Sequence, residues 1–372
     1  MLAAQRHALI LAAVRAQGVV PLSALARRLG VTPVTVRRDV TALADQGLVE
    51  RVHGGVTLPR RAPQPDAAPP RSPFGALAPR ALVGMVTPSV DYYWPQVIQG
   101  AQTAAAAAEA RLVLRGSSYD PADDRVHIAK LVERGVQALL VAPFTAGQVG
   151  VALLRWLGSL PIPVVLMERL PPPKLATLAM DSVVTAHAFG AGLAVRHLVT
   201  LGHDRIGLVT SRYSPTSHAL GVGWAETSVL LGLPSAAHEI VPAYGSAGWA
   251  EEYDALLLRS MDAGLRALVV HSDREAIGVL ERARELGLTV PGDLAVVSYD
   301  DEVAAASDPP VTAVRPAKHQ LGAIAAELAL ARLAGGAERP VHRVELWPLL
   351  VIRESCGSAP EPPVDTLAVD CP

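Results

Sequence analysis

Residues 267–301 read ALVVHSDREAIGVLERARELGLTVPGDLAVVSYDD. A short apolar run, ALVVH at 267–271, gives way to an amphipathic stretch at 273–286, and a second run, LAVVSY at 294–299, follows it. Val- and Leu-rich runs this short, separated by helical stretches, are strands buried on both faces. The unit is therefore β–α–β, the building block of a parallel sheet covered by helices. The same alternation extends outward. Further strand candidates are LVGMV at 82–86, RLVLR at 111–115, ALLVA at 138–142, PVVLM at 163–167 and RIGLV at 205–209. Amphipathic stretches at 94–109, 122–134, 190–200, 216–231 and 247–260 lie between them. One sheet of so many strands would be large for the length, so two α/β lobes are expected. Ligands in such folds sit outside the C-terminal ends of the strands, here in a cleft between lobes.

The chain has 372 residues, half of them hydrophobic, enough for two or three domains with a sizeable core. No apolar stretch reaches the ~20 residues of a bilayer span. The N-terminal apolar run is interrupted by Arg6, His7 and Arg15 and reads as an amphipathic helix rather than a signal peptide. A cytoplasmic location with no membrane partner is expected. The two cysteines, Cys356 and Cys371, form no CxxC pair and suggest no disulfide framework. There is no HExxH, no GxSxG and no glycine-rich phosphate loop; GVG at 221–223 and GAG at 190–192 are too short for a dinucleotide fingerprint. His187, His197 and His203 lie scattered and read as structural or solvated. No catalytic residue, no metal site and no cofactor is expected, and the chain is not read as an enzyme.

The segment PRRAPQPDAAPPRSPFGALAP, residues 59–79, holds seven prolines in 21 residues. Proline lacks the backbone donor that helices and sheets need, so this reads as an extended linker between a head at 1–58 and a body at 80–356. Its prolines also exclude a helix across it, which leaves the head loosely tethered. Residues 357–372 read as a disordered tail. The head is basic: eight arginines face three acids in residues 1–60, although the whole chain carries a net charge of −2. A basic head on an acidic body points to a polyanion as the partner of the head.

Within the head, a first helix is expected near 4–16 with Leu9, Ile10, Ala13 and Val14 inward, and a second at 22–29 with Leu22, Leu25 and Leu29 inward. After Gly30, Thr32 is a good N-cap and Pro33 a good first helical residue. The third helix buries Val36, Val40 and Leu43 and leaves Thr35, Arg37 and Arg38 near its outer face. Residues 48–58, with a turn at His53–Gly55, make a β-hairpin wing. A helix of this kind can enter the major groove, where arginine bonds guanine edges or phosphates.

VTPVTVRRDVTALADQGLVERVHGG, residues 31–55, resembles the DNA-binding domain of DeoR-type bacterial regulators. Thr35, Val36, Arg37, Arg38, Asp39, Gly47, Arg51, His53, Gly54 and Gly55 carry the match, which covers residues 5–57. The resemblance implies sequence-specific binding to double-stranded operator DNA, with Thr32, Thr35, Arg37 and Arg38 on the helix and Arg51 and His53 on the wing as contact candidates. Residues 81–356 instead resemble the effector domain of LacI/GalR repressors, which have the periplasmic-binding-protein fold. LVGMVTPSVDYYWPQVIQGAQTAA, GAGLAVRHLVTLGHDRIGLVT, the stretch beginning HSDREAIG, PPVTAVRPAKHQLG and LVIRES carry it, in the right order. The implied fold is an α/β winged helix-turn-helix plus a two-lobed domain with parallel sheets. Its lobes would comprise about 81–182 with 315–340, and about 186–312 with 343–356. Chain crossovers would fall near 180–186, 312–315 and 339–343. The implied protein is a homodimeric transcriptional regulator, more a repressor than an activator, controlled by a small carbohydrate.

Strand-end polar and aromatic residues are the effector candidates, because aromatic faces stack on sugar C–H surfaces and carboxylates accept from hydroxyls. They are Asp91, Tyr92, Trp94, Glu168, Trp249, Ser272 and Asp300; the resemblance assigns Glu168, Trp249, Ser272 and Asp300 to the pocket. Asp273 joins them, with a helix N-cap as its plain structural alternative. Tyr93 reads as core and Trp224 equally as packing or ligand. The family often carries an arginine four residues before the aromatic at Trp224; here that residue is Leu220, so Arg115 or Arg212 would have to substitute. The rival readings are a sugar-binding transport component, which the basic head contradicts, and an enzyme on a small polar metabolite, which lacks a catalytic constellation.

Overall fold

The computed structural model describes residues 6–7, 9–10, 13, 20–29, 31–45, 49–52, 55–57, 81–118, 120–175, 177–212, 214–336 and 338–358. The linker 59–79, most of the expected tail and His53 lie outside them. The chain forms two compact units, divided at Arg71 and Ser72.

In the first unit, residues 6, 7, 9, 10 and 13 are helical and precede α1 (Leu22–Leu29) and α2 (Pro33–Asp45). Thr32 caps α2: its hydroxyl oxygen accepts the Thr35 N–H at 3.3 Å. Ile10, Ala13, Leu25, Leu29, Val36, Val40 and Leu43 fill one core. Leu9, expected inside, is 47 % exposed; Ile10 and Ala13 satisfy the inward face without it. The wing strands β2 (Glu50–Val52) and β3 (Gly55–Thr57) pair antiparallel, and β3 also pairs with β1 (Val20–Pro21), a strand the sequence reading lacked. Asp39 anchors α2 to the first helix through Arg6 (2.7 and 3.0 Å), and this guanidinium holds the Asp39 carboxyl below the usual carboxylate range.

The second unit contains two six-stranded sheets. The first has the order β14-β8-β7-β6-β4-β5 and is wholly parallel. Its strands are β4 (Leu82–Thr87), β5 (Arg111–Gly116), β6 (Ala138–Val141), β7 (Val164–Met167), β8 (Asp181–Thr185) and β14 (Arg343–Leu346). The second has the order β10-β9-β11-β12-β13-β15, with only β13–β15 antiparallel. It comprises β9 (Ile206–Ser211), β10 (His238–Val241), β11 (Ala267–His271), β12 (Ala295–Tyr299), β13 (Thr312–Arg315) and β15 (Leu349–Val351). The period of two is visible in the packing. Ala138 and Leu140 of β6 join one apolar layer while Leu139 and Val141 join the other, and Leu268 and Val270 of β11 oppose Ala267 and Val269.

Helices α3 (Trp94–Ala107), α4 (Pro121–Glu133), α5 (Gly147–Gly158) and α10 (Lys318–Gly335) belong to the first lobe. α6 (His187–Thr200), α7 (Ser217–Leu230), α8 (Trp249–Asp262) and α9 (Asp273–Glu285) belong to the second. The chain passes between sheets at Ala186, at Pro316–Ala317 and at Trp347–Pro348. The third passage is therefore later than the expected 339–343: residues 343–346 pair in parallel with β8 of the first sheet, not with the second lobe. Likewise β8 carries the first lobe through residue 185 and β13 keeps 312–315 in the second. These strands escaped the sequence reading because they are short or broken by polar residues, such as Asp181 in β8 and Arg343 and Glu345 in β14.

Backbone-to-backbone contact joins α3 to α10. A Cβ on Gly322 would lie 1.8 Å from the Val97 carbonyl oxygen, and one on Gly100 would lie 1.9 Å from that of His319. Gly322→Ala must push the helices apart, and a loss of about 1–3 kcal/mol is expected in urea unfolding. Gly335→Ala at the end of the same helix, where the nearest atom would be 3.8 Å away, should be neutral or stabilising. Equal midpoints for the two variants would show that the interhelical contact tolerates a methyl group.

Candidate ligand cleft and nucleic-acid interface

The C-terminal ends of β4, β7, β9, β11 and β12 converge on one cavity of about 290 Å³, near the lower end of the ~300–1,000 Å³ typical of small-molecule sites. Tyr92, Tyr93 and Trp94 line it from the segment after β4, Glu168 and Arg169 from the end of β7, and His187 from the start of α6. The second lobe supplies Ser211 at the end of β9 and Thr216 beyond it, Tyr244 after β10, His271 and Ser272 at the end of β11, Arg274 and Glu275 from α9, and Asp300 after β12. Among the described residues five non-glycines have left-handed φ, and Tyr92 (57°), Glu168 (53°), Asp300 (102°) and Asp301 (53°) are four of them. Such backbone is costly for a side-chain-bearing residue and persists where the surroundings hold it.

Glu168 is the hub of the first-lobe wall. Its carboxylate accepts the Thr185 hydroxyl at 2.6 Å, the Thr185 N–H at 3.0 Å and His187 Nε2 at 3.1 Å, and it accepts the Tyr93 hydroxyl as well. Four donors occupy the lone-pair directions of a carboxylate. Burial opposes its charge, but the His187 imidazole and the hydrogen bonds from His187, Thr185 and Tyr93 outweigh burial and hold its pKa at about 2. The other nitrogen of His187 lies 3.0 Å from the Tyr299 hydroxyl of the second lobe, so one imidazole joins both lobes.

Asp300 is the opposite case. Its side chain is buried and receives no hydrogen bond among the described residues. Burial, and then the neighbouring Asp273, push its carboxyl well above the usual range. His271 Nε2 stands 3.8 Å away, beyond hydrogen-bond reach. Burial depresses the His271 pKa to about 4, so at neutral pH this imidazole offers Asp300 no countercharge. Among the described residues His271 Nδ1 has no partner.

Several contacts bridge the lobes beside the cavity. The Tyr92 hydroxyl accepts the Asp273 N–H at 3.1 Å, and the Arg274 guanidinium stands 4.7 Å over the Tyr92 ring. Gln96 donates to Glu302 at 3.1 Å. The buried Lys318 at the start of α10 reaches the Asp300 carbonyl and the Glu302 carboxylate.

Of the residues singled out from the sequence, Tyr92, Trp94, Glu168, Ser272 and Asp300 line the cavity. The others do not. Asp91 is exposed on the turn before α3. Trp249 lies one layer behind: its ring packs against Tyr244 (4.7 Å) and Tyr253 (5.3 Å), and it is Tyr244 that faces the cavity. Arg115 is exposed on the edge strand β5, and Arg212 stands 3.8 Å from Glu252. Asp273 is neither a ligand contact nor the cap of α9. Ser272 caps that helix with Glu275, while the buried Asp273 carboxylate accepts the Ser298 hydroxyl and the N–H groups of Asp301, Glu302, Val303 and Ala304. Trp224 is packing, its indole N–H donating to the Ile206 carbonyl at 3.0 Å, and Leu220 is fully buried. The sequence reading missed Tyr93, Arg169, His187, Tyr244, His271 and Arg274; most lie within two residues of one it chose or of a strand end, the signal that was there to use.

In the first unit, α2 presents Arg38 exposed, while the Thr35 hydroxyl lies 2.9 Å from that of Thr32. Arg37 and Arg51 lie on α2 and β2.

Residues 6–62 match a DeoR-like helix-turn-helix domain, and residues 195–356 a periplasmic binding protein-like domain. An uncharacterised HTH-type transcriptional regulator from the aml 5′ region of Streptomyces limosus is 32% identical over 293 residues, 74% of this chain and 78% of that protein. The chain belongs to the LacI-like HTH-type transcriptional regulators. The regulator is also 24% identical over 332 residues to the arabinose metabolism transcriptional repressor of Geobacillus stearothermophilus, covering 86% of each. Its fold is that of a LacI family regulator of Enterococcus faecium solved with bound ribose (TM-score 0.60, 22% identity, 75% of this chain and 99% of that one). These relatives are transcriptional regulators, so the regulator is not an enzyme. Among the described residues no helix is long and apolar enough to cross a membrane, and no group of His, Cys, Asp and Glu could hold a metal ion.

Proposed function

We propose that the regulator is a cytoplasmic repressor whose hold on operator DNA is controlled by a small carbohydrate in the interlobe cleft. The observation that carries this reading is the cavity wall: the rings of Tyr92, Tyr93, Trp94 and Tyr244 line it with Asp300, a buried carboxyl without a hydrogen-bond donor among the described residues. Rings cover the C–H faces of a sugar and the carboxyl takes its hydroxyls. The names of the arabinose repressor and the ribose-bound structure support the same ligand class. Because the cavity wall comes from both lobes, a ligand that contacts both favours one lobe arrangement over another. The DNA contacts are assigned to Thr32, Thr35, Arg37, Arg38, Arg51 and His53, and the regulator pairs as a two-fold homodimer on an inverted repeat.

The test is a band-shift and anisotropy series on the DNA upstream of the regulator's neighbouring genes, with sugars as competitors. Release of the DNA by one carbohydrate supports the reading; indifference to every carbohydrate sinks it. In the same assay Arg37→Ala and Arg38→Ala should each weaken binding roughly tenfold and reduce the salt slope by about one, the loss of one phosphate contact. An inverted repeat should outcompete a single half-site. If neither arginine variant moves the affinity at two salt concentrations, these residues are not at the interface.

A further inference from the structure

Most charged groups lining the cavity are already engaged, and Arg274 is the exception among its cations. Glu168 has its four donors. Glu275 accepts the Ser272 N–H at 2.8 Å and the Ser272 hydroxyl at 2.6 Å, closing the N-terminal cap of α9. Arg169 rests on the carbonyls of Glu168 (2.7 Å) and Pro143 (3.2 Å). Arg274 makes no hydrogen bond or ion pair among the described residues; the face of Tyr92 is its contact. Other arginines of this unit sit on carboxylates, Arg282 on Asp254, Arg332 on Asp181 and Arg353 on Asp301, each at 2.7 Å. Arg125, which like Arg274 rests on a ring, Trp156 at 4.7 Å, does not line the cavity.

The position of Arg274 is also unfavourable in isolation. It stands in the first turn of the 13-residue helix α9, where the positive end of the helix dipole opposes a cation. A guanidinium keeps its charge at any physiological pH. Two guanidinium groups, one from each lobe, line the cavity together with the carboxylates of Glu168 and Glu275, whose lone pairs are taken by the donors named above. His271, only 6% exposed, adds a ring nitrogen without a partner among the described residues. A neutral sugar would use the rings and Asp300 and leave Arg274 without a polar partner. A cationic ligand would meet both arginines.

Resting on the carbohydrate reading above, we propose that the cleft takes an anionic carbohydrate, one bearing a carboxylate or a phosphate, and that Arg274 receives the anionic group. Arg274 is thereby the residue that sets charge specificity, while Asp300 and the aromatic walls hold the ring.

The test uses the full-length regulator with matched probes in thermal-shift and calorimetric titrations: glucose, glucuronate and glucose 6-phosphate; galactose and galacturonate; ribose and ribose 5-phosphate; arabinose and arabinonate. At least one anionic probe should raise the unfolding midpoint where its neutral parent does not, and whether it is the acid or the phosphate identifies the anionic group. Arg274→Gln should weaken that probe roughly tenfold to hundredfold, the loss of a charge-assisted hydrogen bond. Arg274→Lys should weaken it less, since the charge stays and the planar fork is lost. Arg274 is exposed, so the midpoint of either variant without probe should match the parent protein. Neutral sugars binding as tightly as their anionic partners, or an anionic probe indifferent to Arg274→Gln, would overturn the charge assignment and leave the carbohydrate reading standing. Binding by none of these carbohydrates would overturn both.

Discussion

Asp300→Asn should make the regulator more stable at neutral pH and deaf to its effector. In the unfolded chain this carboxyl titrates near 3.8 and is ionised at pH 7; in the folded chain burial and Asp273 favour its neutral form. The folded value is raised, so the stability it contributes is fully present below about 3.8 and is lost as pH rises through the folded value. At pH 7 the protein carries that cost. Asparagine removes it, keeps nearly the same shape and tolerates the left-handed φ of 102° better than most residues. A gain on the scale of single stabilising substitutions, about 0.5–2 kcal/mol, is expected in urea unfolding at pH 7. The difference from the parent protein should vanish as the pH is lowered to the unfolded value. Effector affinity should fall roughly tenfold to hundredfold with operator affinity unchanged. A variant that is less stable at pH 7 would contradict the account of this buried acid, and an unaltered effector response would remove Asp300 from the site.

Glu168→Ala should do the reverse to stability. The substitution leaves the Tyr93 hydroxyl, both donors of Thr185 and one nitrogen of His187 without their acceptor in a buried site. Breaking a buried, hydrogen-bonded charge pair from one side costs about 3–5 kcal/mol, and a loss in that range is expected at pH 7. Here the folded pKa is depressed, to about 2 against an unfolded value near 4.5. Its contribution is therefore present above about 4.5 and is lost as pH falls through about 2. Glu168→Gln should abolish this acid-dependent loss. Urea midpoints measured across that window for parent and Gln variant would decide it: parallel curves mean that Glu168 does not carry the stability assigned to it. With its lone pairs taken, Glu168 shapes the cavity wall, and in the function proposed above the ligand hydroxyls fall to Asp300.

These two carboxyls both follow buried strands, and nothing local separates them. The sequence placed both at the cleft because strand ends in open parallel sheets converge there. It could not say that one is saturated and the other bare. That difference rests on Thr185, His187 and Tyr93, which lie 17, 19 and 75 residues from Glu168, and on Asp273, which lies in another strand-to-helix junction. Trp249 and Tyr244 show the same limit. Either aromatic was a sound choice by position, and a ring packed face to edge on its neighbour decided which one meets the cavity.

The sequence by itself determined the helix-turn-helix head with Thr32 as its cap, the alternation of buried strands and helices, and the strand-end location of the cleft. All of these depend on spacing and capping chemistry within a few residues. Tertiary structure alone decided that residues 343–346 complete the first sheet, that Asp39 ties α2 to Arg6, and that Asp273 builds the loop after β12. It also decided which strand-end groups reach the cavity uncommitted. Hydrogen-bond satisfaction and burial depend on partners brought together from distant parts of the chain, and periodicity carries no record of them.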